Sequence, residues 1–116
     1  MTGRALRVLM LCVLTSATAS AGDWPQYRAD AARSGFVTES LAPGLGLAWT
    51  YQSAHAPARA WPTNIRMQFD RSFQPVIAGG MLFFGSSADD TLYALDAATG
   101  KTRWTFCTDG PIRLAP

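Results

Sequence analysis

The sequence has little of what most function classes require. Its 116 residues include two cysteines and one histidine. Cys12 lies inside the apolar run Val8 to Leu14, behind Arg4 and Arg7 and ahead of the small-residue stretch Thr15 to Ala21. That order of basic, apolar and small residues predicts a secretory signal peptide over residues 1–21, with Ala19-Ser20-Ala21 as its cleavage site, and hence export to the periplasm or beyond the cell. Leu11, not a small residue, precedes Cys12, which argues against a lipoprotein anchor. Cys107 is then the one cysteine left, so residues 22–116 form neither an intramolecular disulfide nor a cysteine-based zinc site. No apolar run approaches the roughly 20 residues that cross a bilayer, and no membrane span is predicted. Charge of one sign is missing as well. The formal charge of +2 belongs to the leader arginines, because residues 22–116 balance eight basic against eight acidic side chains. Nothing in that balance points to nucleic acid or an anionic membrane as a partner.

All 13 aromatic residues lie after residue 21. A chain with this aromatic content and so few charges buries surface, and disorder throughout is not expected. The opening Asp23-Trp24-Pro25-Gln26-Tyr27-Arg28 keeps no period, and Asp30 to Arg33 suits one helical turn ended by Gly35. Pro43, Gly44 and Gly46 mark a loop that delivers the chain into Leu47-Ala48-Trp49-Thr50-Tyr51-Gln52, where alternation predicts a half-buried strand. Residues 22–52 therefore read as a lead-in, and residues 53–74, rich in proline and alanine, as an irregular loop.

From Pro75 the pattern is regular. Pro75 to Ala78 is a short β-type run, Gly79-Gly80 a hairpin turn, and Met81 to Gly85 an apolar run suited to a strand buried on both faces. Thr91 to Asp96 and Lys101 to Cys107 supply two further strands, separated by the tight turn Ala97 to Gly100. A second run begins after Thr108-Asp109-Gly110. The prediction for residues 75–116 is an all-β fold: one four-stranded antiparallel meander, with the start of a following strand at Pro111 to Ala115.

The residues Ala94-Leu95-Asp96-Ala97-Ala98-Thr99-Gly100-Lys101-Thr102-Arg103-Trp104 resemble the tryptophan-docking repeat of quinoprotein-type β-propellers, which places Ala94, Asp96, Thr99, Gly100 and Trp104 at its defining positions. Gly79 to Ser86 looks like the lead-in of the same repeat, and Asp23 to Arg28 is similar to the N-terminus of secreted members. The resemblance implies a partial β-propeller, read as the N-terminal piece of a longer ring whose remaining blades are its first partners. At roughly 40 residues per blade and at least four blades per ring, residues 22–116 amount to about half of the smallest closed ring.

Each repeat position has a physical role. Gly100 takes a positive φ in the turn, Asp96 and Thr99 bond the turn's own backbone, and Trp104 buries its ring while its indole N–H reaches a carbonyl. Ala94, by the resemblance, is small because an indole of the neighbouring blade lies against it. These roles are structural, so the motif identifies a scaffold and no reaction.

The function expected is an exported, non-catalytic scaffold that binds envelope proteins or a small ligand. The alternative is a dehydrogenase of alcohols or sugars that uses pyrroloquinoline quinone (PQQ) with calcium. One blade cannot supply calcium's six to eight oxygen ligands, and no cofactor is assignable to this chain by itself. Asp89-Asp90 reads as a solvated turn, His55 as a surface residue and Cys107 as a small buried hydrophobe. Gly79-Gly80 and Gly44-Leu45-Gly46 lack the spacing of a phosphate loop. The loop residues Trp61, Arg66 and Asp70, with Arg71, are the candidate ligand contacts; the competing reading pairs Arg66 with Asp70 across one helical turn.

Overall fold

A computed structural model describes residues 22–60 and 72–116. The leader expected over residues 1–21 and the candidates Trp61, Arg66, Asp70 and Arg71 lie outside the described residues. Among those described, no helix is long and apolar enough to cross a membrane.

Four strands form one antiparallel meander: β1 (Val76–Ala78), β2 (Met81–Ser86), β3 (Thr91–Asp96) and β4 (Thr102–Cys107), in the spatial order β1-β2-β3-β4. The turns explain the order. Gly79 and Gly80 both take positive φ, 57° and 75°, which is the two-residue hairpin geometry that matches strand twist and that a side chain would strain. At the other end of β2 the chain turns through Asp90, itself at φ 51°. Asp and Asn are the residues that tolerate this region best after glycine.

Register sorts the side chains onto two faces. On one, Phe84 stands opposite Tyr93 and Leu82 opposite Leu95. The Phe84 and Tyr93 rings stack at 5.0 Å, and Tyr51 and Phe73 close over Phe84 at 5.4 and 4.8 Å. Phe84 and Leu95 are buried there, with Ser86 and Thr91 beside them. On the other face Phe83, Ala94 and Trp104 stand side by side across three strands. Ala94 is wholly buried, and the Phe83 and Trp104 rings meet at 5.8 Å. Within this sheet a small residue at 94 suits its place between Phe83 and Trp104, whose rings a larger side chain would hold apart.

The lead-in departs from its expected form. Leu47 to Gln52 makes no ladder; Trp49 and Tyr51 reach the sheet through their side chains, and Leu47 is left exposed. The strand-like pairing comes earlier, at Trp24, whose N–H and carbonyl both bond Ile77 at 2.8 Å on the outer edge of β1. Asp23 fixes that junction by accepting from Gly79 N–H at 3.0 Å. The expected helical turn at Asp30 to Arg33 is replaced by tight turns with Arg28, Ala29 and Arg33 at positive φ. The Asp30 carboxylate draws the chain out of the helical path by accepting from Ser34 N–H and hydroxyl.

Two further expectations are corrected in the last third. Every residue of β4 is exposed, Cys107 among them, because no described strand pairs with its outer edge. Pro111 to Ala115 does not begin a strand; it folds back with Ile112 against Gly85 and Ala115 N–H on Gln74 Oε1 at 3.2 Å. Pro111 has no N–H to give a ladder, and Ile112 finds an apolar seat that exists because residue 85 has no side chain. A Cβ at Gly85 would lie 2.0 Å from Ile112 Cγ2 and 2.6 Å from its Cβ. Gly85→Ala is expected to destabilise the chain by about 1 to 3 kcal/mol, the usual cost of overpacking. Denaturant titration checks this, and the loss should shrink when Ile112→Ala is added.

Candidate functional site

Among the described residues, the turn between β3 and β4 gathers a dense set of polar contacts. Asp96 Oδ1 accepts from both Thr99 N–H and Thr99 Oγ1 at 2.9 Å, and Oδ2 accepts from Arg103 Nη2 at 2.6 Å. Gly100 N–H donates to Asp96 O at 2.8 Å, closing the turn, with Gly100 at φ 70°. A register shift after Ala94 leaves Arg103 without a partner across the ladder, since Ala94 pairs with Trp104 and Leu95 with Thr102. Such a bulge re-aims a side chain, here the guanidinium onto Asp96. Hydrogen bonding by Arg103, then by Thr99, holds the Asp96 carboxyl at a pKa of about 2.

One aromatic from the lead-in closes this turn from outside. Trp49 Nε1 donates to Ala97 O at 3.0 Å, and its ring covers Gly100 so closely that a Cβ there would stand 2.5 Å from the indole. Within this chain the role expected of Trp104 is filled by Trp49. The indole that reaches a backbone carbonyl is that of Trp49, while Trp104 is 45% exposed and its N–H meets no described carbonyl. The signal for Trp49 was present in the sequence as an internal repeat: Trp49-Thr50-Tyr51 and Trp104-Thr105-Phe106 are the same triplet with one aromatic exchanged. Tyr51 completes the first copy by packing against Phe84 and Tyr93. In the second copy Phe106 is 61% exposed.

The opposite end of the sheet holds a second polar group. Asp89, expected in solvent, is half-buried and accepts from Tyr93 Oη, while its Oδ1 is buried without a hydrogen-bond partner among the described residues. Burial works to raise the Asp89 pKa, but the polar groups of Ser86 and Tyr93 and the nearby His55 hold it below its ordinary value. The same contact, with burial second, pushes the Tyr93 phenol up to about 12. His55 itself is exposed, as expected. Around this turn Ser87 Oγ donates to Ala58 O, and Thr108 N–H donates to Asp90 O at 2.7 Å.

A single meander with glycine turns, and an aromatic from a neighbouring segment docked on one of them, has the form of one blade of a radial all-β protein. A family model described as "Glucose/ethanol/alcohol dehydrogenase, beta-propeller domain", PQQ, matches residues 24–113, and the chain belongs to that family. No curated protein and no solved structure matches it.

The family brings PQQ, and with it calcium, into consideration. Among the described residues no three His, Cys, Asp or Glu side chains come together. Asp96 is committed to Thr99 and Arg103, and Asp89 has one oxygen on Tyr93 and one left over, far short of the six to eight oxygens calcium takes. The described residues therefore do not by themselves fit a calcium-bound quinone.

Two outcomes follow for the turn. Gly100→Ala should cost about 2 kcal/mol or more, from the positive φ and from contact with the indole. In a double-mutant cycle with Trp49→Ala the steric part should vanish, making the pair less harmful than the sum of the two, as read by denaturant titration. Because Asp96 has a lowered pKa, its contribution is complete above the usual 3.8 and is lost as pH falls through about 2. Melting temperature measured between pH 5 and pH 2 should fall, and fall less steeply in Arg103→Ala.

Proposed function

We propose that this chain supplies the lead-in and one blade of an exported β-propeller that acts as a non-catalytic scaffold, its faces available to envelope proteins or a small ligand. The observation that carries the reading is the paired triplet. Trp49-Thr50-Tyr51 already covers this blade, and Trp104-Thr105-Phe106 presents the same groups outward, which suits covering a further blade in the same way. The repeat residues that carry charge support the reading because Asp96 and Arg103 satisfy each other inside one turn. Export rests on the leader-like order of residues 1–21.

In a polypeptide that continues through a second blade, Trp104→Ala should cost about 3 to 5 kcal/mol, the loss for truncating a packed tryptophan. In the present chain, where the ring is 45% exposed, the cost should be smaller. Equal costs in the two would remove the covering role. A second reading, a PQQ-dependent dehydrogenase of alcohols or sugars, is favoured by the description of the matching family model. Reduction of a redox dye by the purified protein with PQQ, calcium and an alcohol or aldose would establish that reading in place of the scaffold. Loss of the protein from the exported fraction when residues 1–21 are removed checks the leader.

A further inference from the structure

The scaffold reading uses the turn at Asp96 and the exposed triplet, and leaves unexplained an open crevice of about 820 Å³ at the other end of the sheet. Its walls are Ala56 to Ala60 on one side, Ser87, Ala88 and Asp90 on the other, and Pro111 at one margin. The walls are tied to each other and to the following loop. Ser87 Oγ donates to Ala58 O across the crevice, and Asp90 O is held by Thr108 N–H at 2.7 Å, with Thr108 Oγ1 at 2.8 Å. A cleft cross-linked in this way is preformed, so a ligand would not have to order it.

Two charged side chains of opposite sign face this cleft. Arg59 is half-buried, and its guanidinium has neither an ion pair nor a hydrogen bond among the described residues. Asp90 is half-buried too; its carbonyl is bonded, but its carboxylate has no partner among the described residues. Arg59 and Asp90 do not pair with each other; Arg103 with Asp96 is the ion pair among the described residues. A guanidinium without a partner favours a planar carboxylate that takes two of its N–H groups. A carboxylate on the facing wall favours an ammonium group.

We propose that this crevice binds a small zwitterion of the amino acid or short-peptide class, its carboxylate on Arg59 and its ammonium on Asp90. The assignment is independent of the scaffold reading, since neither residue belongs to the repeat turn or to the exposed triplet.

The test is amide-shift mapping and calorimetry on the full chain with glycine, glycylglycine and triglycine, using acetate and ethylammonium as half-ligands. One or more of the zwitterions should shift the amides of Ala58, Arg59, Ala88 and Asp90 saturably, and bind more tightly than either half-ligand. Arg59→Gln and Asp90→Asn should each weaken binding about tenfold or more, the loss expected for a charged hydrogen-bond partner. Asparagine is the replacement at 90 because it tolerates the left-handed backbone there. Both variants should keep the strand amide pattern of the parent. Absence of saturable shifts with all three zwitterions overturns the proposal. So does acetate binding as tightly as the best zwitterion, or affinity unaffected by Asp90→Asn, either of which would describe an anion site only.

Discussion

The contact on which the rest of the molecule depends is the indole of Trp49 lying on the Ala97 to Gly100 turn. It is made between residues 48 positions apart, and it joins the irregular lead-in to the only regular sheet described. A hydrogen bond of this kind contributes about 1 kcal/mol net. The larger effect is geometric. The ring can approach only because residue 100 is a glycine, and Gly100 can hold φ 70° at no steric cost only for the same reason. One absent side chain thus serves both the turn and the dock. Asp96 stiffens the platform beneath, and β3 and β4 leave the turn in the register that sets Trp104 across Ala94.

The meander from Val76 to Cys107 was legible in the sequence to within a residue or so at each strand end. Its turn chemistry is local: paired glycines at 79 and 80, Asp-x-x-Thr-Gly at 96–100, and β-branched or aromatic residues between. The roles of Asp96, Thr99 and Gly100 were legible for the same reason, being settled within five residues of chain. What the sequence reading misplaced depends on distant partners. Leu47 to Gln52 alternates like a strand, yet alternation says only that one side is apolar; here that side meets aromatic rings and a glycine turn instead of a ladder. Trp104 and Cys107 look like core residues by type, and their burial depends on what lies beyond the free edge of β4. Asp89 is the exception, since its partner Tyr93 stands only four residues on; a carboxylate in a turn is commonly solvated, and spacing alone does not show that the phenol meets it.

The two ends of the sheet differ in kind. At the end that holds the glycine hairpin and the Asp96 turn, polar groups are consumed internally and the surface is closed by an aromatic ring. At the other end the chain passes through Asp90 at a positive φ, the connecting segments are tied by side-chain to backbone bonds, and Arg59 and Asp90 keep uncommitted charge. Division of a sheet into a closed end that holds structure and an open end that carries variable loops is a common arrangement for placing recognition on a rigid frame.

The repetition of Trp-Thr-aromatic at 49–51 and 104–106 also has a consequence for growth. On the reading proposed above, the blade has one socket, at Ala97 and Gly100, which Trp49 fills here, and one plug, at Trp104, and these sit on different parts of the sheet. Units built this way add head to tail, in one direction, and each new unit presents the next plug. Such a contact is heterologous, and it yields a ring only if the angle between successive units divides a full circle. The plug and socket therefore specify that blades stack and in what order. How many blades a circle takes must be set by the wedge shape of the sheets, a property of their twist and side-chain volumes that the docking pair leaves free.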